Sequence, residues 1–125
     1  MSGYSDVRAV TITADTVALD ADGISVAASV GNNAALVIGG ALASGGAVSL
    51  SHGRIVTILS AGNDAAKSFT VTGTDVNGDA QTESITGANA GTATGTKFFK
   101  TISGISAVGN PAGNVSAGVN ASAAD

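Results

Sequence analysis

The chain has 125 residues, no cysteine, and a formal net charge of −4 from nine acidic and five basic side chains. That length suits one ordinary domain, and the lack of cysteine excludes disulfides and thiolate metal sites. The few basic residues are scattered along the sequence, whereas phosphate backbones are bound by clustered Lys and Arg, so we expect no nucleic-acid partner. We predict a single domain over 1–125, with 1–6 and 120–125 as flexible or partner-contacting tails.

Eighteen glycines and only three phenylalanines leave the core to Val, Ile and Leu. A monomer with this composition buries little apolar surface, so we predict self-association. The most apolar stretch, 34–50, is interrupted by two glycine pairs and by serines. We therefore predict two buried strands joined by a glycine turn there, and no membrane span. The first residues lack the basic start and apolar block of a secretory signal.

Strand patterns run through the first half of the chain. Alternating or continuous apolar residues, many of them β-branched, predict five short strands. In chain order these are Val7–Thr13, Gly23–Ala27, Ala35–Ile38, Ala47–Leu50 and Arg54–Leu59.

The second half reads more clearly as strands and turns. Phe69–Thr74 alternates apolar and threonine residues, and Asn77-Gly78 predicts a tight type I′ reversal into the polar strand Ala80–Thr86. The pattern is completed by a small-residue loop (87–95), one long strand or two short ones over 97–108 with a kink near Gly104, a turn at 109–113 and a last strand at 114–119. With no convincing amphipathic helix, this predicts an all-β, single-domain antiparallel β-sandwich, jelly-roll-like or β-barrel.

No motif predicts catalysis. His52 is the only histidine, and no Gly-x-Ser-x-Gly pattern accompanies it, so a local hydrogen bond in a strand-edge turn is the favoured interpretation. Asp75, Asp79 and Glu83 lie close in sequence, as glycosidase carboxylates can, but no aromatic platform for a sugar ring accompanies them. We predict a non-enzymatic protein that uses no cofactor.

The acids around Asn77 also resemble the beginning of a calcium loop. Asp75, Asn77 and Asp79 alternate as oxygen ligands do in an EF-hand. However, the sixth and twelfth positions of that loop are Ala80 and Thr86, where the motif needs glycine and glutamate. Hairpin-turn chemistry accounts for the same residues, so we predict no metal site.

A family resemblance lies in the second half. The stretch 68–83, SFTVTGTDVNGDAQTE, and its continuation 86–102, TGANAGTATGTKFFKTI, resemble small structural proteins of tailed bacteriophages. The preceding Gly53–Asp64 fits the same pattern, so that the resemblance covers roughly 53–119. A short, acidic, cysteine-free β-protein of this kind is similar to capsid decoration (cement) proteins.

The resemblance implies an external β-unit that binds across major capsid protein subunits and stabilises the head. Because capsid lattices offer many local three-fold positions, it favours a homotrimer over a homodimer. The protein would then be made in the host cytoplasm and lie on the outer capsid surface of the virion. We predict that the protein contacts its partner through threonines of the strands at 69–74 and 82–86 and through the Phe98-Phe99 pair. These are Thr70, Thr72, Thr82, Thr86, Phe98 and Phe99.

An alternative hypothesis is a tail, collar or fibre component that binds a receptor or a carbohydrate. Such a module stacks aromatic side chains on sugar rings. Only Tyr4, Phe69, Phe98 and Phe99 are available for stacking.

Overall fold

The computed structural model describes residues 20–124. This part of the chain is all-β and contains no helix. Its strands are β1 (Asp20–Ser29), β2 (Ala43–Ser44), β3 (Ala47–Ser60), β4 (Ser68–Thr74), β5 (Ala80–Thr86), β6 (Thr92–Val108) and β7 (Asn114–Ala124).

The described strands form one antiparallel sheet in the order β1-β7-β3-β6-β4-β5, and β2 pairs with β3. The predicted all-β, antiparallel class is therefore confirmed. Strand β4 separates β5 from β6 in this order, yet the side chain of Glu83 on β5 hydrogen-bonds the backbone of Thr96 on β6. The sheet must therefore curl, so that β5 comes to face the first half of β6.

Strand β6 is the element around which the sheet curls. Its residues 92–102 pair with β3, and its residues 101–108 pair with β4. The register of the β4–β6 ladder shifts opposite Gly104, between Thr72 and Gly73. A shift of this kind bends a strand and increases its twist, which agrees with the kink predicted near Gly104.

The hydrophobic core lies on the inner side of the curled sheet, and its side chains are aliphatic except for two phenylalanines. Phe69 and Phe99 are fully buried, together with four isoleucines from three different strands. Successive residues of a strand point to opposite faces, which places Phe69 inward on β4. On β6, register shifts on both sides of Ile102 let it face the core together with Phe99 and Ile105. The fully buried isoleucines are Ile24, Ile58, Ile102 and Ile105.

The hairpin between β2 and β3 and the hairpin between β4 and β5 have different turn types. Gly45 and Gly46 both have positive φ (65° and 82°) and join the paired residues Ser44 and Ala47, which is the two-residue arrangement of a type I′ turn. At the second hairpin only Gly78 has positive φ (86°), and its N–H donates to the carbonyl of Asp75. The type I′ turn predicted at Asn77-Gly78 is therefore wrong, since that type needs positive φ at two adjacent residues.

Several predicted boundaries differ from the structure. Ala35–Ile38 is not a buried strand: Ala35 makes one isolated bridge to Ser106, and Val37 is 77% exposed. The strand-edge turn predicted at His52 lies inside β3, which joins the two strands predicted on either side of it.

Near the end of the chain, β6 begins at Thr92, inside the predicted loop 87–95, and β7 continues to Ala124, within the predicted tail. The predicted strand Val7–Thr13 and the tail 1–6 lie outside the described residues. Over residues 20–124, no helix long and apolar enough to cross a membrane is found.

Candidate contact surface

The outer side of β4, β5 and the end of β6 carries short hydroxyl side chains. Cross-strand pairing places Thr72 opposite Thr82, Thr70 opposite Ser84, and Ser68 opposite Thr86. On the other side of β4, Thr70 pairs with Ser106 of β6. We call this the hydroxyl face, formed by Ser68, Thr70, Thr72, Thr82, Ser84, Thr86 and Ser106.

Strand geometry gives the hydroxyl face a regular spacing. Neighbouring strands lie about 4.8 Å apart, and outward residues on one strand recur about every 6.7 Å. Thr72, Thr82, Ser84, Thr86 and Ser106 are exposed. The same strands turn Phe69, Val71, Ile85 and Ile105 inward to the core. The face is thus fixed by the packing beneath it, while its own side chains remain available to a partner.

Four of the six residues predicted to contact a partner share this face: Thr70, Thr72, Thr82 and Thr86. Phe98 lies elsewhere, half-buried on the first half of β6. Phe99 is fully buried, so it belongs to the core, and its prediction as a surface contact is wrong. Ser84 belongs to the face and was missed, although alternation between Thr82 and Thr86 would have indicated it.

Side chains on the inner side of β5 attach the hydroxyl-face strands to β6. Glu83 Oε2 accepts from Thr96 N (2.6 Å) and Thr96 Oγ1 (3.0 Å), and Glu83 Oε1 accepts from Lys97 N (3.3 Å). Gln81 Nε2 donates to the carbonyl of Phe98 at 2.6 Å. Lys97 Nζ in turn donates to the carbonyl of Thr82 at 2.9 Å. We call the pair of Gln81 and Glu83 the β5 clamp.

A glycine makes room for the clamp. A Cβ on Gly95 would lie 2.6 Å from Glu83 Oε1 and 3.0 Å from Glu83 Cδ. The carboxylate therefore packs directly on the β6 backbone. Hydrogen bonds to a charged acceptor are about twice as strong as neutral ones, which suits a contact replacing part of a backbone ladder.

The carboxylate of Asp75 is occupied by its own turn. Asp75 Oδ1 accepts from Asn77 N (2.8 Å) and from Asp79 N (3.0 Å). These bonds form an Asx-type turn, in which the side chain takes the place of a backbone acceptor. Among residues 20–124, no three His, Asp or Glu side chains gather closely enough to hold a metal ion.

The carboxylates considered for hydrolysis have separate surroundings. Glu83 binds β6 amides, whereas Asp75 binds the backbone of its own turn. His52 lies within β3, not in a turn at a strand edge. In the contacts described, both carboxylates hold backbone amides in place.

Arg54 links the centre of β3 to the end of the chain. Its Nη2 and Nε donate to the carbonyl of Asn120 at 2.8 and 3.3 Å. Burial lowers the pKa of the guanidinium, while the charge of Asp20 acts in the opposite direction. Together with the pairing of Gly53 with Ala124, this contact holds 120–124 in the sheet.

Asp64 is a second feature that the sequence did not indicate. Its side chain is fully buried between loops, and Oδ1 accepts from Ala112 N at 2.7 Å. The other oxygen, Oδ2, is buried and has no hydrogen-bond partner among the described residues. Because the Asp64 backbone N–H also donates to the carbonyl of Ala88, this residue joins the loops around 64, 88 and 112.

A scan against protein-family models and searches of curated proteins and solved structures found no match for this chain.

Proposed function

We propose that this chain is a non-enzymatic structural protein of a tailed-phage virion, specifically a capsid decoration protein. In this proposal it binds across neighbouring major capsid protein subunits on the outer surface of the capsid and stabilises the head. The observation that carries the proposal is the hydroxyl face, supported by the resemblance of 53–119 to small phage structural proteins.

The chemistry of the hydroxyl face suits a permanent protein contact. Its side chains are short and uncharged, so a partner can approach closely without desolvating ions. Each hydroxyl both donates and accepts a hydrogen bond, which lets it pair with a partner's backbone or with interfacial water. Their rigid mounting on three strands lowers the entropy lost on binding.

Self-association would add avidity. A homotrimer, or alternatively a homodimer, presents its contact face more than once to a repeating lattice. Linked contacts of this kind raise overall affinity well beyond that of one face alone. This is the property that a protein needs to hold subunit junctions together against pressure from inside the shell.

The alternative of a tail or fibre module that binds carbohydrate has less support. Phe69 and Phe99, two of the rings that could stack on a sugar, are fully buried. Phe98 is half-buried, and its backbone carbonyl is held by Gln81. The described surface therefore offers no pair of exposed rings to a sugar.

Cryo-electron microscopy of the source virion tests the proposal. We expect density for this fold on the outer capsid surface, at junctions between major capsid protein subunits. Density at the tail or at a fibre, or particles that lack the protein, would overturn the decoration role. Capsids that resist heat equally well without the protein would do so too.

A binding assay tests the role of the hydroxyl face itself. Purified protein carrying Thr72→Glu and Thr82→Glu is mixed with capsid shells lacking the decoration protein, and the bound fraction is measured by sedimentation. Two carboxylates brought into an uncharged interface should lower affinity by about a hundredfold or more.

The matched control is Thr94→Glu, which adds a carboxylate at an exposed position where β6 pairs with β3. It should bind as the wild type does. Equal binding by the double variant and the control would remove the hydroxyl face from the proposal.

A further inference from the structure

The reversal between β4 and β5 carries the pair Asn77-Gly78 on the protein surface. Both residues are exposed, and a Cβ placed on Gly78 would have nothing within 4 Å. The turn uses the backbone N–H of Asn77, which donates to Asp75 Oδ1 at 2.8 Å, and not its side-chain amide. Gly78 has a positive φ of 86°, a conformation that favours glycine. The exposed side chain of Asn77 is therefore next to a glycine nitrogen that no neighbouring Cβ shields.

This arrangement occurs once in the chain, because Asn77 is the only asparagine that precedes a glycine. Asn89 is also exposed, but Ala90 follows it, so that a Cβ stands beside the next backbone nitrogen. Three further asparagines hold their side-chain oxygens in hydrogen bonds from backbone N–H groups: Asn33, Asn63 and Asn120. Asn89 is therefore the natural comparison for Asn77 within the same molecule.

An asparagine followed by glycine places a nucleophile beside its own side-chain amide. Once Gly78 N has lost its proton to hydroxide, it attacks Asn77 Cγ and closes a succinimide ring. The bond from Cγ to the amide nitrogen breaks, and that nitrogen takes a proton from water and leaves as ammonia. A second water molecule then opens the ring at either carbonyl, which gives aspartate or isoaspartate. The reaction consumes water, releases ammonia and involves no change of oxidation state.

The turn restrains this attack by holding the backbone on both sides of the reacting bond. Gly78 N donates to the carbonyl of Asp75 at 3.1 Å. Asp75 Oδ1 accepts from Asn77 N at 2.8 Å and from Asp79 N at 3.0 Å. The backbone must rotate before Gly78 N reaches Asn77 Cγ, and an intramolecular reaction is slow when its reacting atoms are held out of line. Two of the three bonds that oppose this rotation are made by one carboxylate oxygen.

We propose that Asn77 is a site of spontaneous deamidation with water as co-reactant, and that the carboxylate of Asp75 sets the rate by holding the turn. The product adds a negative charge between Asp75 and Asp79, at the hairpin end of the hydroxyl face. Like charges at this spacing repel, so the modified turn is less stable than the original. Isoaspartate also adds a methylene group to the backbone of the turn. This inference does not depend on a role in the capsid.

Peptide mapping of the full chain tests the site. The protein is incubated in warm, mildly alkaline buffer, and samples are digested and analysed by mass spectrometry, with fragment ions assigning each converted residue. We expect Asn77 to convert at least about tenfold faster than Asn89, because only Asn77 has an unshielded nitrogen beside it. The rate should rise with pH, since Gly78 N must lose a proton. Equal rates at the two asparagines, or no conversion at Asn77, would overturn the proposal.

Two variants of Asp75 test its control of the rate, after circular dichroism has checked that each is folded. Asp75→Ala removes the acceptor for Asn77 N and Asp79 N, and conversion of Asn77 should become about threefold faster or more. Asp75→Asn is the matched control, since it keeps an acceptor oxygen without the charge and should convert at close to the wild-type rate. Equal acceleration in both variants would assign the effect to charge, and no acceleration in Asp75→Ala would show that the turn does not restrain the attack. Either result overturns the role of Asp75.

Discussion

The two halves of β6 are held by different kinds of bond. Residues 101–108 pair along their length with β4, and on the other side Leu36 N donates to Ile105 O and Ala107 N donates to Ala34 O. Residues 92–100 pair with β3, but their contact with β5 is made by the side chains of Gln81 and Glu83. Backbone hydrogen bonds therefore flank residues 101–108 on both sides, whereas residues 92–100 are joined to β5 by the side chains of the β5 clamp.

This difference shows how a glycine-rich chain with few rings can close a sheet. A backbone ladder demands close approach and leaves little tolerance for extra atoms. Side-chain bonds span a wider gap but depend on a few groups. We therefore expect the backbone-enclosed half to be most sensitive to added volume, and the clamped half to be most sensitive to loss of Glu83.

The largest effect is expected for Gly73→Ala in the backbone-enclosed half. A Cβ at Gly73 would lie 1.9 Å from the Thr101 carbonyl oxygen and 2.8 Å from the Thr101 carbonyl carbon, so the ladder must move. We expect a loss of about 3 kcal/mol or more in the free energy of unfolding, measured by urea denaturation.

Gly104→Ala is the matched control, because nothing lies within 4 Å of a Cβ there. Its effect should stay within about 1 kcal/mol. Similar losses in the two variants would mean that crowding against the β6 backbone is not the cause.

The next effect is expected for Glu83→Ala in the clamped half. The substitution removes the acceptor for Thr96 N and Lys97 N, and the partly exposed site moderates the cost to about 1–2 kcal/mol. Exchange at these two amides, followed by NMR, should rise far more than exchange at Ile105.

Glu83→Gln keeps one carbonyl acceptor without the charge and should lose less stability than Glu83→Ala. If the Thr96 and Lys97 amides exchange as in the wild type in both variants, the clamp does not hold β6.

A smaller effect is expected at the hairpin that precedes the clamp. Asp75→Ala removes the acceptor for Asn77 N and Asp79 N, two exposed amides that water can satisfy in part. We expect a loss of about 1 kcal/mol, with Asp75→Asn retaining most of the stability. Millimolar calcium should leave the wild-type melting temperature unchanged, and a clear rise on its addition would revive the calcium hypothesis.

The smallest effect is expected on the hydroxyl face. Thr72→Val replaces one exposed hydroxyl by a methyl group and should change the free energy of unfolding by less than about 0.5 kcal/mol. A larger loss by thermal denaturation would show that this face stabilises the fold, which would weaken its assignment to a partner.

The sequence predicted the second half of the chain better than the first. β5 coincides with the predicted 80–86, and β4 begins one residue before the predicted 69, because alternation and turn residues are strong there. In the first half, the apolar run at 35–38 predicted a buried strand, and the structure exposes Val37 instead. Periodicity detects a continuous apolar run but cannot tell whether another element covers it.

The candidate site divides in the same way. Alternation alone placed Thr70, Thr72, Thr82 and Thr86 on one face, since side chains two residues apart share a side of the strand. Alternation argues against the joint prediction of Phe98 and Phe99 as surface contacts, since adjacent residues of a strand point to opposite faces, and Phe99 is the buried one. The register shifts of β6 against β3 decide which of the two faces the core, and no local pattern announces such bulges.

By itself, then, the sequence determined an all-β chain with outward threonines, because strand propensity, alternation and glycine turns are local properties. The tertiary structure decided the rest: the curl of the sheet around β6, the clamp of Glu83 on Thr96 and Lys97, and the burial of Asp64. These features join residues far apart in sequence. The free energies of these contacts depend on which backbone groups and side chains come together on folding. Composition and residue spacing do not specify those contacts.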